Sequence, residues 1–415
     1  MSNFRKWRRP SVALCVLTVV LAALTAGAAC GPAESTDTSG QVPLVEINTA
    51  VREAIEALRA ADGFPGVVVG YVLPDGRAAS VAVGLSDAVA EIPMQVGDRM
   101  LSGSIGKTYV SAVTLQLVNE GLIGLDDPLS DWFGDEEWFG RIPNANDLTV
   151  RHLMTHTSGI PRHIFAEGFI PALIAEPDRV WKPEELLSYI FDVEPHFAAG
   201  EGFSYADTNY ILVGMIIEKA TGNTYYEELQ SRILEPFELD ETSPSDRPDL
   251  DGLIPGHLGE NDPFGMPPQT IVNGRYAMNP QFEWTGGGLV TTAGDLALWT
   301  KVLYEKGAFD PSLWDQFVDS VPMAPGAPVS YGLGVMLRPS DWGMTYGHGG
   351  MMPGYLSEME YFIDHELVVA VQINADQSSG TIHRAPHDLV GAAAGAILNS
   401  LARAGAPAKD EGATE

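Results

Sequence analysis

Ser104-Ile105-Gly106-Lys107 opens the stretch whose reading decides the fold, and it runs on as TYVSAVTLQLVN to Asn119. The run from about Ser104 reads as a helix stopped by Gly121. Residues three apart lie on one helix face, so Ser104 Oγ and the Lys107 amine can meet there. A hydroxyl is a weak nucleophile until a base takes its proton. A lysine can be that base if burial lowers its pKa from the usual ~10.4. The helix N-terminus adds backbone N–H groups and positive dipole for a developing oxyanion. Alone, the spacing is common in proteins. The same residues also read as a helix N-cap followed by a surface lysine.

Two further stretches carry side chains fit for the same chemistry. One is Phe203-Ser204-Tyr205-Ala206-Asp207-Thr208-Asn209-Tyr210. The other is Tyr346-Gly347-His348-Gly349-Gly350-Met351-Met352-Pro353-Gly354-Tyr355. Together the three resemble, in order, the S-x-x-K, Y-x-N and K-T-G or H-x-G motifs of the serine β-lactamase and penicillin-binding-protein superfamily. The branch is that of class C β-lactamases, D-Ala-D-Ala carboxypeptidases and related esterases. Leu153-Met154-Thr155-His156-Thr157-Ser158-Gly159-Ile160-Pro161 is similar to that family's L-x-T-H-T-S-G-[LI]-P. Gly286 to Leu296 and Tyr331-Gly332-Leu333-Gly334 resemble further signatures of it, so the likeness spans about residues 46 to 400.

The resemblance implies roles. Ser104 would be the acylated nucleophile, and Lys107 would take its proton, alone or with Tyr205. Tyr205 would relay that proton to the leaving group and later activate water. His348 would stand where other members have lysine, on a strand edge lining the site. The backbone N–H groups of Ser104 and Met351 would form the oxyanion hole. Gly349 and Gly350 would allow close approach of a substrate laid along that edge.

This chain departs from the pattern at two substrate-contacting positions. Asp207 stands where the family's reference members have asparagine. An ionised Asp only accepts hydrogen bonds, whereas Asn also donates. Near Lys107 it would favour the ammonium form and make the lysine a poorer base. Gly349, in the middle of the third motif, offers no hydroxyl to a substrate carboxylate. Both changes weaken the case for β-lactam or D-Ala-D-Ala recognition.

Working outward, Ile47, Val51, Ile55 and Leu58 share one helical face. Gly66–Leu73 and Arg77–Gly84 read as strands joined by the turn Pro74-Asp75-Gly76. From about 125 to 280 the chain is rich in Pro, Gly, Trp and short helical patterns, with a clear helix at Asn209–Ala220 ended by Gly222. Thr292 to Asp295 starts a helix bearing Leu296, Trp299, Val302 and Leu303. Strand signals follow at Tyr331–Leu337, Tyr355–Phe362 and Leu367–Asn374, and a closing helix at Asp388–Leu401. The expected fold is α+β of the β-lactamase/transpeptidase type. One antiparallel sheet is built from both chain ends and flanked by helices, with a mostly helical insertion. The expected catalytic domain is 46–402, with a flexible tether at 31–45 and a disordered tail at 403–415.

Composition excludes other classes. Hydrophobic residues make up 45% and charged residues 19% of the 415, ordinary globular usage. With 24 Lys+Arg against 55 Asp+Glu, the net charge is −31, which argues against nucleic acid as a partner. Only the N-terminus carries a long apolar run. Arg5, Lys6, Arg8 and Arg9 precede Val12 to Ala29, the plan of a secretory leader over residues 1–30. Leu24 to Cys30 resembles a bacterial lipoprotein box, with Gly27 where leucine is usual. It implies lipidation at Cys30 and a membrane-anchored, exported protein; cleavage near Ala29 or an uncleaved anchor are the alternatives. Cys15 and Cys30 are the two cysteines, so a chain that has lost its leader has no internal disulfide.

Other candidates are weaker. His152 and His156 are four apart, but without H-e-x-x-H context they read as structural. His383 and His387 are separated by Pro386, which spoils a shared helical face. No metal and no cofactor is expected. Trp132, Trp138 and Trp284 read as packing rather than as a groove. The sequence therefore points to an exported serine hydrolase acting through an acyl-enzyme. Its substrate would be a small ester or a D-amino-acid peptide, peptidoglycan included. The alternatives are a penicillin-binding sensor without turnover and a weak β-lactamase.

Overall fold

The computed structural model describes residues 41–260 and 262–405. Among these described residues, nine strands form one antiparallel sheet. From one edge to the other the strands are Ile92–Pro93, Ala78–Asp87, Gly66–Val72, Leu367–Ile373, Tyr355–Phe362, Gly343–Met352, Met336–Ser340, Ser330–Tyr331 and Val321–Pro322. The N-terminal strand Gly66–Val72 pairs with Leu367–Ile373 from the far end of the chain, Val67 opposite Ile373 and Val72 opposite Val368. The two chain ends thus close one sheet around a helical middle, as expected from the sequence.

Alternation along the strands divides the core. Val67, Val69 and Tyr71 face one side and pack with Ile47, Val51 and Ile55 and with Leu389, Ala393 and Ile397. Val68, Val72, Met359 and Ala370 face the other, toward Tyr109, Leu296 and Trp299. Because both faces are covered, Gly66–Val72 is buried at every position and reads as a continuous apolar run. The first layer is the helix pair Leu44–Asp62 and Pro386–Gly405. The second is made by Gly106–Asn119, Asp207–Thr221 and Ala293–Tyr304, which carry the insertion.

Boundaries differ from expectation in three places. The first helix begins at Leu44, inside the expected tether, because Pro43 is extended and sets its first turn. The last helix continues to Gly405, beyond the expected start of the tail. Tyr331–Leu337 is not one strand: Gly334 has φ +85, and a turn divides Ser330–Tyr331 from Met336–Ser340. The leader, Cys30 and most of the expected tether lie outside the described residues.

Candidate active site

Ser104 sits in a tight 3-10 turn, Gly103–Ile105, that leads directly into the helix Gly106–Asn119. Gly103 has φ +55, and a side chain there would come within 2.5 Å of the Met351 backbone nitrogen. A side chain at Gly350 would run into the Ser102 carbonyl. These two glycines let the Gly103–Ile105 turn pack closely against the backbone of the Gly343–Met352 strand.

That strand has an open outer edge. It pairs with Tyr355–Phe362 from Thr345 to Met352, but with Met336–Ser340 only from Gly343 to Gly347. Beside the unpaired stretch is a cleft of ≈ 370 Å³, whose lining includes Ser104, Tyr205, Arg338, Gly349, Gly350 and Met351. Among the described residues, Tyr205 Oη has no hydrogen-bond partner. Burial raises the phenol's pKa, and the nearby Lys107 charge opposes that rise. A larger recess of ≈ 660 Å³, between Trp342 and the last helix, shares only Arg338 with this cleft and contains none of the motif residues.

Lys107 is fully buried under Ser104. Its Nζ lies 3.2 Å from Ser104 Oγ, 2.6 Å from Asp207 Oδ1 and 2.5 Å from the Gly286 carbonyl. It also lies 4.9 Å from the centre of the Tyr205 ring. Burial by itself would lower the ammonium's pKa, but Asp207, Tyr205 and Glu283 raise it above the usual lysine range. Asp207, in direct contact, thus favours the ammonium form of the lysine.

Asp207 begins the helix Asp207–Thr221 and is 2% exposed. Its second oxygen accepts from Arg162 Nε at 3.0 Å and Nη2 at 2.6 Å. Burial would raise the carboxyl, yet Lys107 and Arg162 hold it well below the ordinary range. Glu283, half-buried beside this group, is pushed up to about 7 by burial and by Asp207, with Lys107 and Arg162 opposing. Arg162 and Glu283 were not legible as site residues in the sequence. Neither belongs to a motif, and only folding brings them to Asp207.

His348 requires a correction. It is not among the residues that line the cleft. Its ring is buried beneath the strand, with Nδ1 2.7 Å from the Gly349 carbonyl and Nε2 2.9 Å from Tyr331 Oη. A carbonyl can only accept, which assigns the proton to Nδ1 and leaves Nε2 to accept from the tyrosine. Burial, with Lys107 next, pushes the ring down to about 3, so it is neutral. His156 lies nearby as a structural group: its Nδ1 accepts from the Ala206 N–H at 3.2 Å, and its ring centre is 4.2 Å from that of Tyr205. His152 closes the first turn of its own helix with Thr149. Trp132, Trp138 and Trp284 pack on the core and do not line the cleft.

At Gly349 the missing side chain is replaced from the next strand. Glu358 Oε2 lies 2.7 Å from where a Cβ would stand. Arg338 Nη1 donates to Glu358 at 2.9 Å and to Glu360 at 2.5 Å. This ion cluster was also missed, although the alternation Glu358-Met359-Glu360 within a strand puts two carboxylates on one face.

A serine above a buried lysine at a helix start, a facing tyrosine and an open strand edge make up the candidate site. The sequence model of the Beta-lactamase family matches residues 51–393, and the chain belongs to this family. It is 22% identical over 308 residues to a penicillin-binding protein of Bacillus subtilis, covering 71% of this chain and 65% of that protein. It is 25% identical to a D-aminopeptidase of Brucella ovis, covering 75% of this chain and 56% of the relative. The chain thus spans less than two thirds of the length of these relatives. Among solved structures, a D-stereospecific amidohydrolase from Streptomyces sp. superposes with TM-score 0.72 at 28% identity, covering 83% of this chain and 97% of that one. The D-amino acid amidase of Ochrobactrum anthropi, complexed with D-phenylalanine, gives 0.73 at 24%, covering 85% and 99%.

Proposed function

We propose that this protein hydrolyses amides or peptides of D-amino acids through an acyl-enzyme on Ser104. The observation that carries the reading is the Ser104 Oγ–Lys107 Nζ contact of 3.2 Å at the floor of a cleft faced by Tyr205. The relatives named above supply the substrate class. An amidase reading also suits Gly349, which has no hydroxyl to hold a substrate carboxylate.

In the first step Ser104 Oγ bonds to the substrate carbonyl carbon as its proton passes to the Tyr205 phenolate. Lys107, held as ammonium by Asp207, stabilises that phenolate and stays charged throughout. The carbonyl oxygen becomes an oxyanion facing the Ser104 and Met351 amides. The intermediate collapses, the C–N bond breaks, and Tyr205 returns the proton to the leaving amine. Water then attacks the acyl-serine, giving its proton to Tyr205, and the acid leaves as the proton returns to Ser104.

The test is intact mass after exposure to a fluorophosphonate, followed by turnover of D- and L-amino acid p-nitroanilides, beside Ser104→Ala. An adduct on the wild type alone, with hydrolysis of the D-series, is the expected result. Lack of any adduct overturns the mechanism. A long-lived penicillin adduct without turnover would favour the sensor reading instead, which the cationic Lys107 motivates.

The same proposal places the enzyme outside the cell, lipidated at Cys30 and anchored to the membrane, where peptidoglycan fragments offer D-amino acids. Its support is the leader sequence. Mass analysis of the processed N-terminus tests it: a chain beginning at any residue other than an acylated Cys30 overturns it.

A further inference from the structure

Asp207 is a divided carboxylate. Lys107 holds Oδ1, and the Arg162 guanidinium holds Oδ2 through two donors. The backbone on each side of Arg162 is fixed from the same helix start. The hydroxyl of Thr208 donates to the Pro161 carbonyl at 2.9 Å and accepts from the His163 N–H at 2.9 Å. The guanidinium then stacks 4.5 Å from the Phe165 ring centre and 5.4 Å from that of Tyr205. A residue bracketed in this way reaches one acceptor only by design of the surrounding chain.

Resting on the acylation mechanism above, we propose that Arg162 is a positioning residue: by occupying Oδ2 of Asp207 it leaves Oδ1 to aim the Lys107 ammonium at Ser104, and supplies the second cation that this buried carboxylate needs. A lone lysine would have to satisfy both oxygens of a carboxylate that is 2% exposed, while also reaching the serine. With two cations the oxygens are shared out and each donor keeps one direction. The family pattern places a neutral asparagine here, which needs no second cation. Aspartate and Arg162 are therefore a matched pair in this chain.

The pair acts on the titrating groups that face it: Lys107 on its helix, Tyr205 before Asp207, Glu283 opposite, His163 beside Arg162, and the buried His156 and His348. Arg162 and Asp207 act on the Tyr205 phenolate with opposite signs. Removing the arginine makes the phenolate harder to form, and removing the aspartate makes it easier.

The experiment is the rate of fluorophosphonate labelling against pH for the full-length wild type and for Arg162→Ala, Arg162→Lys, Asp207→Asn and the Arg162→Ala/Asp207→Asn double. Arg162→Ala should label at least tenfold more slowly, with its rising limb moved to higher pH. Asp207→Asn should move the limb to lower pH. Arg162→Lys should keep the wild-type midpoint, and the double should lie near Asp207→Asn rather than at the sum of the two. An unmoved midpoint in Arg162→Ala, or strict additivity, overturns the proposal. Absence of labelling in the wild type would overturn the acylation reading itself. In that case thermal unfolding still decides the pairing: Arg162→Ala must melt lower than wild type and the double must recover part of the loss, or the pair is not matched.

Discussion

His348 Nε2 lies 2.9 Å from the Tyr331 hydroxyl, beneath the strand whose open edge carries Gly349 and Gly350. The imidazole is enclosed by Tyr205 and Tyr331 and pushed down to about 3. It should carry no proton step over the working range. In nitrogen-labelled protein its ring signals should stay flat from about pH 5 to 9, with the Nδ1–H tautomer throughout. A titration midpoint near the ordinary ~6.5 would contradict this burial. Tyr331→Phe leaves Nε2 without a donor and should cost about 1–3 kcal/mol by urea unfolding.

Tyr205→Phe separates chemistry from stability. The hydroxyl removed makes no hydrogen bond among the described residues. Its loss should leave the unfolding free energy within about 0.5 kcal/mol of wild type. Labelling of Ser104 should fall by about 10²-fold or more if Tyr205 carries the proton. A variant that labels at the wild-type rate would remove Tyr205 from the mechanism. In the wild type, labelling should keep rising into the alkaline range, because burial holds the phenol above its ordinary pKa.

Lys107→Met should be destabilising as well as inactive. It leaves Asp207 buried with Arg162 as the remaining cation, and breaking a buried ion pair costs about 3–5 kcal/mol. Adding Asp207→Asn should recover much of the stability and none of the activity. Equal stability of Lys107→Met and wild type would mean that Asp207 does not hold the lysine as a buried cation.

Arg338→Met gives a prediction with a sign. Burial and Glu358 push Glu360 up to about 7, and Arg338 opposes that rise. Its folded-state value lies above its unfolded one, so its stabilising effect is present at low pH and is lost as pH rises through 7. Without Arg338, Glu358 and Glu360 repel each other more strongly and Glu360 titrates higher still. The variant should therefore lose more stability at about pH 8.5 than at about pH 5.5. Equal losses at the two pH values in urea unfolding would refute the coupling.

Much of the frame was legible because local signals agreed. The turn at Pro74-Asp75-Gly76, the apolar face of Ile47, Val51 and Ile55, and the run Leu367–Ile373 each specify one element. The strand Gly343–Met352 was harder to read from local signals. Glycines at 343, 347, 349 and 350 erase its alternation, and they are there for contacts from other elements: Asp364 at Gly343, Glu360 at Gly347, Glu358 at Gly349 and Ser102 at Gly350.

By itself the sequence determined the Ser104–Lys107 motif, the order of the three motifs and the sheet made from both chain ends, because these depend on spacing and on periodicity along the chain. The tertiary structure alone decided the electrostatics of the site. Lys107 and Asp207 are 100 positions apart, Arg162 and Asp207 45, and His348 and Tyr331 17. Whether the lysine rests charged, the histidine neutral and the aspartate shared depends on which groups meet away from water. Burial sets the charge each can carry, and no local pattern encodes burial between segments so far apart.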